Sequence, residues 1–231
     1  MRAFAVLAYL AFLASFLYFA GFVTGLLPGR APAALVEALA IDCGLIAFFG
    51  VTHSVMARPG FKRWWLSVVP AAAERSVFVL VASAQLALLV WQWRPVAAPV
   101  LWAVPAALVP VASGLQLAGF GLALGSSFLI DHFELFGLRQ VFAPRPPGPL
   151  RTPSLYRAVR HPLYLGILVA LWFAPQMSAG RLVLAAGLSV YVIAGTLLEE
   201  RDLVRLFGDA YRRYQRQVPM LLPWRLGRRE R

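Results

Sequence analysis

The sequence predicts an all-α integral membrane protein of five to six transmembrane helices, with a C-terminal helical hairpin, a cytoplasmic loop and an amphipathic C-terminal helix. Three observations carry that expectation. Of the 231 residues 60% are hydrophobic and only 14% charged, with a mean hydropathy of +0.70, which leaves too little polar surface to coat a water-soluble globule. The apolar residues continue in runs of about twenty or more, enough to cross about 30 Å of hydrocarbon as helices, and they lack the alternating polarity of barrel strands. The basic residues gather between alternate runs.

Spans fall at roughly 3–27, 33–56, 76–93, 99–125, 162–179 and 182–198. With the N-terminus in the cytoplasm, 19 of the 22 Lys and Arg residues lie inside, leaving only Arg30, Arg94 and Arg181 outside. The positive-inside rule therefore puts both termini in the cytoplasm. Topology and anionic lipid account for the formal net charge of +12, which removes the argument for a nucleic-acid partner. The Ala- and Arg-rich, Lys-poor composition points to a GC-rich bacterial genome and hence to the bacterial inner membrane.

The first run follows only Met1 and Arg2 and is too long for a signal-peptide core, so it reads as a retained span. The single cysteine, Cys43, has no partner for an internal disulfide, and no Cys/His pattern resembles a metal box. In the second span Asp42 and His53 need other helices or a cavity to face; three helical turns separate them, on one face but about 16 Å apart. Arg58, Lys62, Arg63, Trp64 and Trp65 form an interfacial anchor of cations and indoles, matched by Trp91 to Pro95 on the opposite side. Ser83 and Gln85 read as interhelical contacts. Gly119, Phe120 and Gly121 have neither the strand nor the hydrated turn of a dinucleotide fingerprint, so they predict close helix packing. From Ser126 to Arg160 the polarity rises through Asp131, His132, Glu134, Arg139 and Gln140 to a proline-rich turn at Pro144 to Pro149. That segment predicts an ordered cytoplasmic loop.

Two stretches organise the remainder: Leu155 to Gly166, LYRAVRHPLYLG, and Leu198 to Tyr214, LEERDLVRLFGDAYRRY. Pro162 suits the first helical turn, so His161 lies at the cap. The positive end of that helix, reinforced by Arg160 and His161, can hold a carboxylate or phosphate. The hairpin returns the chain to Glu199 and Glu200 on the same side. Beyond them Leu203, Leu206, Phe207, Ala210, Tyr211 and Tyr214 repeat at helical spacing against Arg205, Arg212, Arg213 and Arg216. This predicts a basic amphipathic helix on the membrane surface, roofing a pocket with Val218, Pro219, Met220 and Pro223.

These two stretches, from Pro144 to Trp224, resemble the C-terminal half of the isoprenylcysteine carboxyl methyltransferase superfamily of membrane methyltransferases. THSVMARPGFKRWW, the ERS of Glu74 to Ser76, WQWRP and FLIDHFELFGLRQ extend the resemblance over nearly the whole chain, toward the bacterial methanethiol S-methyltransferase branch. The resemblance implies S-adenosyl-L-methionine as cofactor, in an enclosed pocket between loop, hairpin and C-terminal segment, and methyl transfer from it to a small thiol, methanethiol giving dimethyl sulfide. By position it implies cofactor-lining roles for Gln140, Leu150, Arg151, Tyr156, His161, Pro162, Leu163, Tyr164 and Glu199, and the motif's Arg160 and Glu200 join them as cofactor-binding candidates. It divides the chain into N-terminal spans, 1–125, and a cofactor-binding catalytic region, 126–231. One departure is informative: where the prenylcysteine enzymes carry an arginine for the substrate carboxylate, four residues before the first glutamate, this chain has Gly195.

A thiol is only partly ionised at neutral pH and the thiolate is the better nucleophile, so a nearby base would raise the rate. The candidates for that base, or for positioning the thiol, are His53, Asp131 and His132, with histidine preferred for its pKa near working pH. The expected partners are a small thiol substrate and the lipid bilayer, with no nucleic acid and no obligate protein partner evident. The alternatives are a carboxyl or other methyltransferase acting on a larger lipophilic acceptor, and a non-catalytic membrane subunit or transporter. The latter usually shows internal repeats, and this chain has none.

Overall fold

The computed structural model describes residues 1–96, 98–146 and 148–223. Trp224 at the end of the resemblance, and the arginines counted beyond it, lie outside the described residues. In chain order the helices are α1 (Arg2–Thr24), α2 (Leu35–Met56), the short α3 (Pro59–Trp65), α4 (Ala71–Gln92) and α5 (Val109–Ile130). Next come two single turns, α6 (His132–Leu135) and α7 (Arg139–Phe142), and then α8 (Pro162–Trp172), α9 (Ala179–Phe207) and α10 (Asp209–Gln217). Five of them, α1, α2, α4, α5 and α9, are long and apolar enough to cross a membrane.

Three boundaries differ from the sequence expectation, each for a backbone reason. The helix of the fourth span begins only at Val109, because Pro99 and Pro105 remove amide donors and favour extended backbone before them, while Pro110 falls in the first turn of α5, where it is tolerated. Val100–Ala103 instead forms a strand, β1, antiparallel to β2 (Gln176–Ser178), which occupies the end of the expected fifth span. Pairing lets the two strands satisfy one another's polar groups beside the apolar region. α8 consequently has only 11 residues, about 16 Å, roughly half the hydrocarbon thickness. The third difference is at the C-terminus. The 29 residues of α9 extend about 43 Å, so its last turns, from Glu199 onward, emerge from the span. Gly208, with φ +56°, then breaks the helix, and the single amphipathic run expected from the sequence is the end of α9 followed by a separate α10.

α5 passes through the 125/126 boundary and crosses α8 in direct backbone contact. A Cβ on Gly119 would lie 2.6 Å from Gly166 O and Ala170 N, and one on Gly166 would lie 2.5 Å from Gly119 O and Ala123 N. Of the two glycines expected to pack closely, Gly119 thus makes the crossing, with Gly166 as its partner, whereas Gly121 has nothing within 4 Å of its Cβ position. Around it Phe19, Val23, Ile46, Leu89, Trp93, Phe120, Leu171, Leu184 and Leu188 build one core from α1, α2, α4, α5, α8 and α9. Asp42, fully buried, accepts the Arg94 N–H at 2.9 Å and so ties the end of α4 to α2. The start of α4 is tied to the α6–α7 turn, where Arg75 Nε donates to the Leu135 carbonyl at 2.7 Å and Ser76 Oγ to the Gly137 carbonyl at 3.2 Å.

Candidate active site

The two organising stretches meet where the sequence puts them, at one end of the molecule, but their residues divide between two structures. The first is a closed polar knot. Glu200, 6% exposed, accepts on Oε1 from Arg160 Nε (2.6 Å) and His161 Nε2 (3.0 Å), and on Oε2 from Arg160 Nη2 (3.1 Å) and Gln215 Nε2 (2.8 Å). Arg160 Nη1 donates to the carbonyls of Gln215 and Val218. The Arg160 and His161 amides donate to the Pro219 and Met220 carbonyls at 2.9 and 3.1 Å. The knot clamps the segment after α10 onto the entrance of α8, with Pro162 buried at its first turn.

Beside the knot, Tyr211, Tyr214 and Val218 pack with Leu150, Leu203, Val204 and Phe207. Tyr156 donates its hydroxyl to the Ser126 carbonyl at 3.3 Å, and its own carbonyl accepts from Tyr214 Oη at 2.5 Å. Burial, with Glu199 adding to it, pushes the Tyr156 phenol up to about 12, and burial raises Tyr211 and Tyr214 as well. These phenols stay neutral, and those of Tyr156 and Tyr214 serve as hydrogen-bond donors.

The second structure is a cavity of about 500 Å³ between α1, α2, α4, α5, α8 and α9, within the roughly 300–1,000 Å³ of small-molecule sites. Tyr191, Gly195, Glu199, Asp202 and Leu206 line it from α9, at spacings of four, four, three and four residues that keep them on one helical face. α8 contributes Leu163 and Tyr164, and Tyr164 donates to Glu199 Oε2 at 2.8 Å. From α2 comes His53, its Nδ1 hydrogen-bonded to Tyr191 Oη at 2.6 Å and its ring stacked on Phe49. His53 Nε2 has no partner among the described residues. The inner end is apolar, with Phe12, Phe16, Phe49, Phe78 and Leu86. The outer end is ionic. Arg58, Lys62 and Arg75 line it, with Arg58 paired to Asp202 at 2.8 Å. Burial, and then the neighbouring Arg75, pushes the Lys62 ammonium below its ordinary pKa.

Of the residues singled out in the sequence, His53, Leu163, Tyr164 and Glu199 therefore line the cavity. Tyr156, Arg160, His161, Pro162, Glu200 and Leu150 form the knot and its packing. Arg151 is exposed. Gln140 donates from Nε2 to the Glu134 carbonyl at 3.1 Å, away from the cavity lining. Asp131 caps α6 by accepting the Glu134 amide at 3.1 Å and pairs with Arg139 at 3.0 Å. His132, 2% exposed, is held at both ring nitrogens. Ser127 Oγ donates to the Leu124 carbonyl (2.6 Å) and so accepts from His132 Nδ1 (2.6 Å), while Tyr9 Oη is hydrogen-bonded to Nε2 (2.8 Å). Burial lowers the pKa of the ring, and in its neutral form Nε2 accepts from Tyr9. Neither Asp131 nor His132 belongs to the cavity lining.

Sequence reasoning missed Tyr191, Asp202 and Arg75 as site residues, and read Arg58 and Lys62 as interfacial anchors. The two α9 residues were detectable, because they fall eight residues before and three after Glu199 on one helical face. Nothing local announces the others, since cations beside indoles look alike whether they face headgroups or a cavity.

Five membrane-length helices around a ligand-sized cavity, apolar within and ionic at its mouth, define an integral membrane protein with an internal cavity as its candidate site. The family profile described as NnrU protein matches residues 43–225, and the chain belongs to that family. It is 47% identical to Methanethiol S-methyltransferase 1 of Bradyrhizobium diazoefficiens, over 95% of this chain and 81% of that protein. It is 45% identical to the Methanethiol S-methyltransferase of Mycobacterium tuberculosis, over 94% and 93%, and 31% identical to Nurim of Danio rerio, over 74% and 66%. No solved structure matches the chain. The names of the two bacterial relatives agree with the narrower resemblance read from the N-terminal motifs.

Proposed function

We propose that this protein is an S-adenosylmethionine-dependent thiol S-methyltransferase that converts methanethiol to dimethyl sulfide, working from the cytoplasmic face of the bacterial inner membrane with both termini in the cytoplasm. The observation that carries the reading is the cavity itself: Tyr164–Glu199 and His53–Tyr191 face one hollow of about 500 Å³ with an apolar inner end.

The donor set suits the cofactor, because the Glu199 carboxylate and the faces of Tyr164 and Tyr191 favour a cation. When bound, S-adenosylmethionine supplies a methyl group on a positively charged sulfur. The protein's part is then to orient and to exclude water. Tyr164 fixes the Glu199 carboxylate, the phenylalanines of the inner end shed water around a small apolar thiol, and His53 Nε2 takes the thiol proton while Tyr191 holds its ring through Nδ1. The knot of Arg160, His161 and Glu200 closes the C-terminal segment over the site, with Leu150, Tyr156 and Pro162 packed beneath it.

Gly195 supports the choice of acceptor. It lines the cavity, and a Cβ there would meet no atom within 4 Å, so this position of α9 offers space where the prenylcysteine enzymes carry a cation for the substrate carboxylate. The deciding experiment supplies purified protein with methanethiol and methyl-labelled S-adenosylmethionine and measures labelled dimethyl sulfide in the headspace. Saturable label release that His53→Ala lowers by about 10²- to 10⁴-fold is the expected result. Transfer to a prenylcysteine carboxylate and none to methanethiol would replace this reading with the larger-acceptor one.

A further inference from the structure

The mouth of the cavity holds more positive charge than its own carboxylates neutralise. Arg58 is already matched by Asp202 at 2.8 Å. The Lys62 ammonium has no hydrogen-bond or ion-pair partner among the described residues, and the Arg75 guanidinium, which lies over the Phe78 ring at 5.0 Å, donates only from Nε, to the Leu135 carbonyl at 2.7 Å. The two Nη groups of Arg75 have no acceptor among the described residues. Glu199 directs Oε2 to Tyr164, and Glu74, next to Arg75 in the chain, attracts both cations, as Glu199 does Arg75 and Asp202 does Lys62, but none of these acids closes to an ion pair with Lys62 or Arg75 among the described residues. Two like charges beside a partly apolar hollow are unfavourable without a counter-ion. An anionic group entering between them restores the balance and gains charge-assisted hydrogen bonds.

We propose that Lys62 and Arg75 are the receptor for the α-carboxylate of the methyl donor, with Glu199 facing the ammonium and sulfonium of the same molecule. The proposal rests on the donor assignment made above and specifies which end of the donor lies at the mouth. A phosphate group of a lipid carries the same anionic chemistry, but it would gain nothing from a carboxylate in the same hollow. An amino-acid end presents both signs within a few ångströms, as the lining does.

The test uses the full-length protein in a maltoside detergent, which brings no phosphate, and reads binding rather than turnover. Competition against labelled S-adenosylhomocysteine gives affinities for S-adenosylmethionine and for its decarboxylated analogue. Wild-type protein is expected to bind the decarboxylated compound roughly 10- to 100-fold more weakly. Lys62→Gln and Arg75→Gln lose a similar factor for S-adenosylmethionine and little for the analogue, and Lys62→Arg restores most of the loss. The wild-type comparison needs no variant, so a misfolded mutant does not leave the question open. Equal wild-type affinity for the two compounds overturns the carboxylate receptor while the donor assignment stands. Displacement of the label by phosphatidylglycerol without that discrimination assigns the cations to lipid and also overturns it. Absence of any saturable S-adenosylmethionine binding removes the donor assignment first and this proposal with it.

Discussion

Consecutive residues on a helix point about 100° apart, and that rotation gives the two acids of the LEER motif different work. Glu199 faces the cavity and Glu200 faces the knot, where four donors surround it. Replacing Glu200 by Gln leaves the Arg160 guanidinium buried without its charge partner, a loss of about 3–5 kcal/mol, visible as a large fall in thermal midpoint in detergent. Glu199→Gln should leave that midpoint nearly unchanged and weaken S-adenosylmethionine binding; equal midpoints for the two variants would contradict the division. His132 gives a second test, in pH. Burial holds its pKa below the ordinary value, so in the window below about 6.5 the unfolded chain binds this proton more readily than the folded one. The associated stability is complete above about pH 6.5 and is lost as pH falls toward the folded-state pKa. Thermal midpoints between about pH 5 and 8 should therefore drop on the acid side for wild type, and His132→Gln should lack that component.

At the scale of elements, the α5–α8 crossing depends on the absence of two side chains. Gly166→Val places atoms where backbone stands 2.5 Å from the Cβ position, so the helices must separate. Overpacking of this kind costs about 1–3 kcal/mol or more. Gly121→Val, at a site with nothing within 4 Å, is the control and should melt close to wild type. The Gly119 contact was legible in the sequence because small residues inside an apolar run have few other uses. The five long helices were legible for a similar reason, since hydropathy over twenty residues is a strong signal. Residues 99–108 and 173–178 were not, because hydropathy scores apolar residues alike in helix and strand. There the prolines, and the pairing of β1 with β2 across more than seventy residues of chain, set the backbone. The site divides along the same line. Tyr164 and Glu199 carry their signal in the local motifs, whereas the His53–Tyr191 bond joins residues 138 positions apart and follows only from the packing of α2 on α9.

For the whole molecule, the sorting of charge becomes an architectural fact once the helices are assembled. Arg58 meets Asp202, Arg75 meets Leu135 and Arg160 meets Glu200 at the end where the cavity opens. Arg30 lies over Trp91, and Arg181 lies close to Gly25, at the other end. On the proposed function the donor is a charged sulfonium nucleoside that does not cross hydrocarbon unaided, so that reading requires the cationic mouth to face the compartment in which the donor is made. The distribution of basic residues in the sequence gives the expectation that this side is the cytoplasm. Alkaline phosphatase inserted after Gly29 should accordingly be active and inserted after Ala143 inactive, with a fluorescent-protein reporter giving the reverse pattern. Phosphatase activity at Ala143 would turn the mouth outward. The same cavity would then be cut off from a cytoplasmic donor, and the positive charge gathered around it would need an extracytoplasmic anion to explain it.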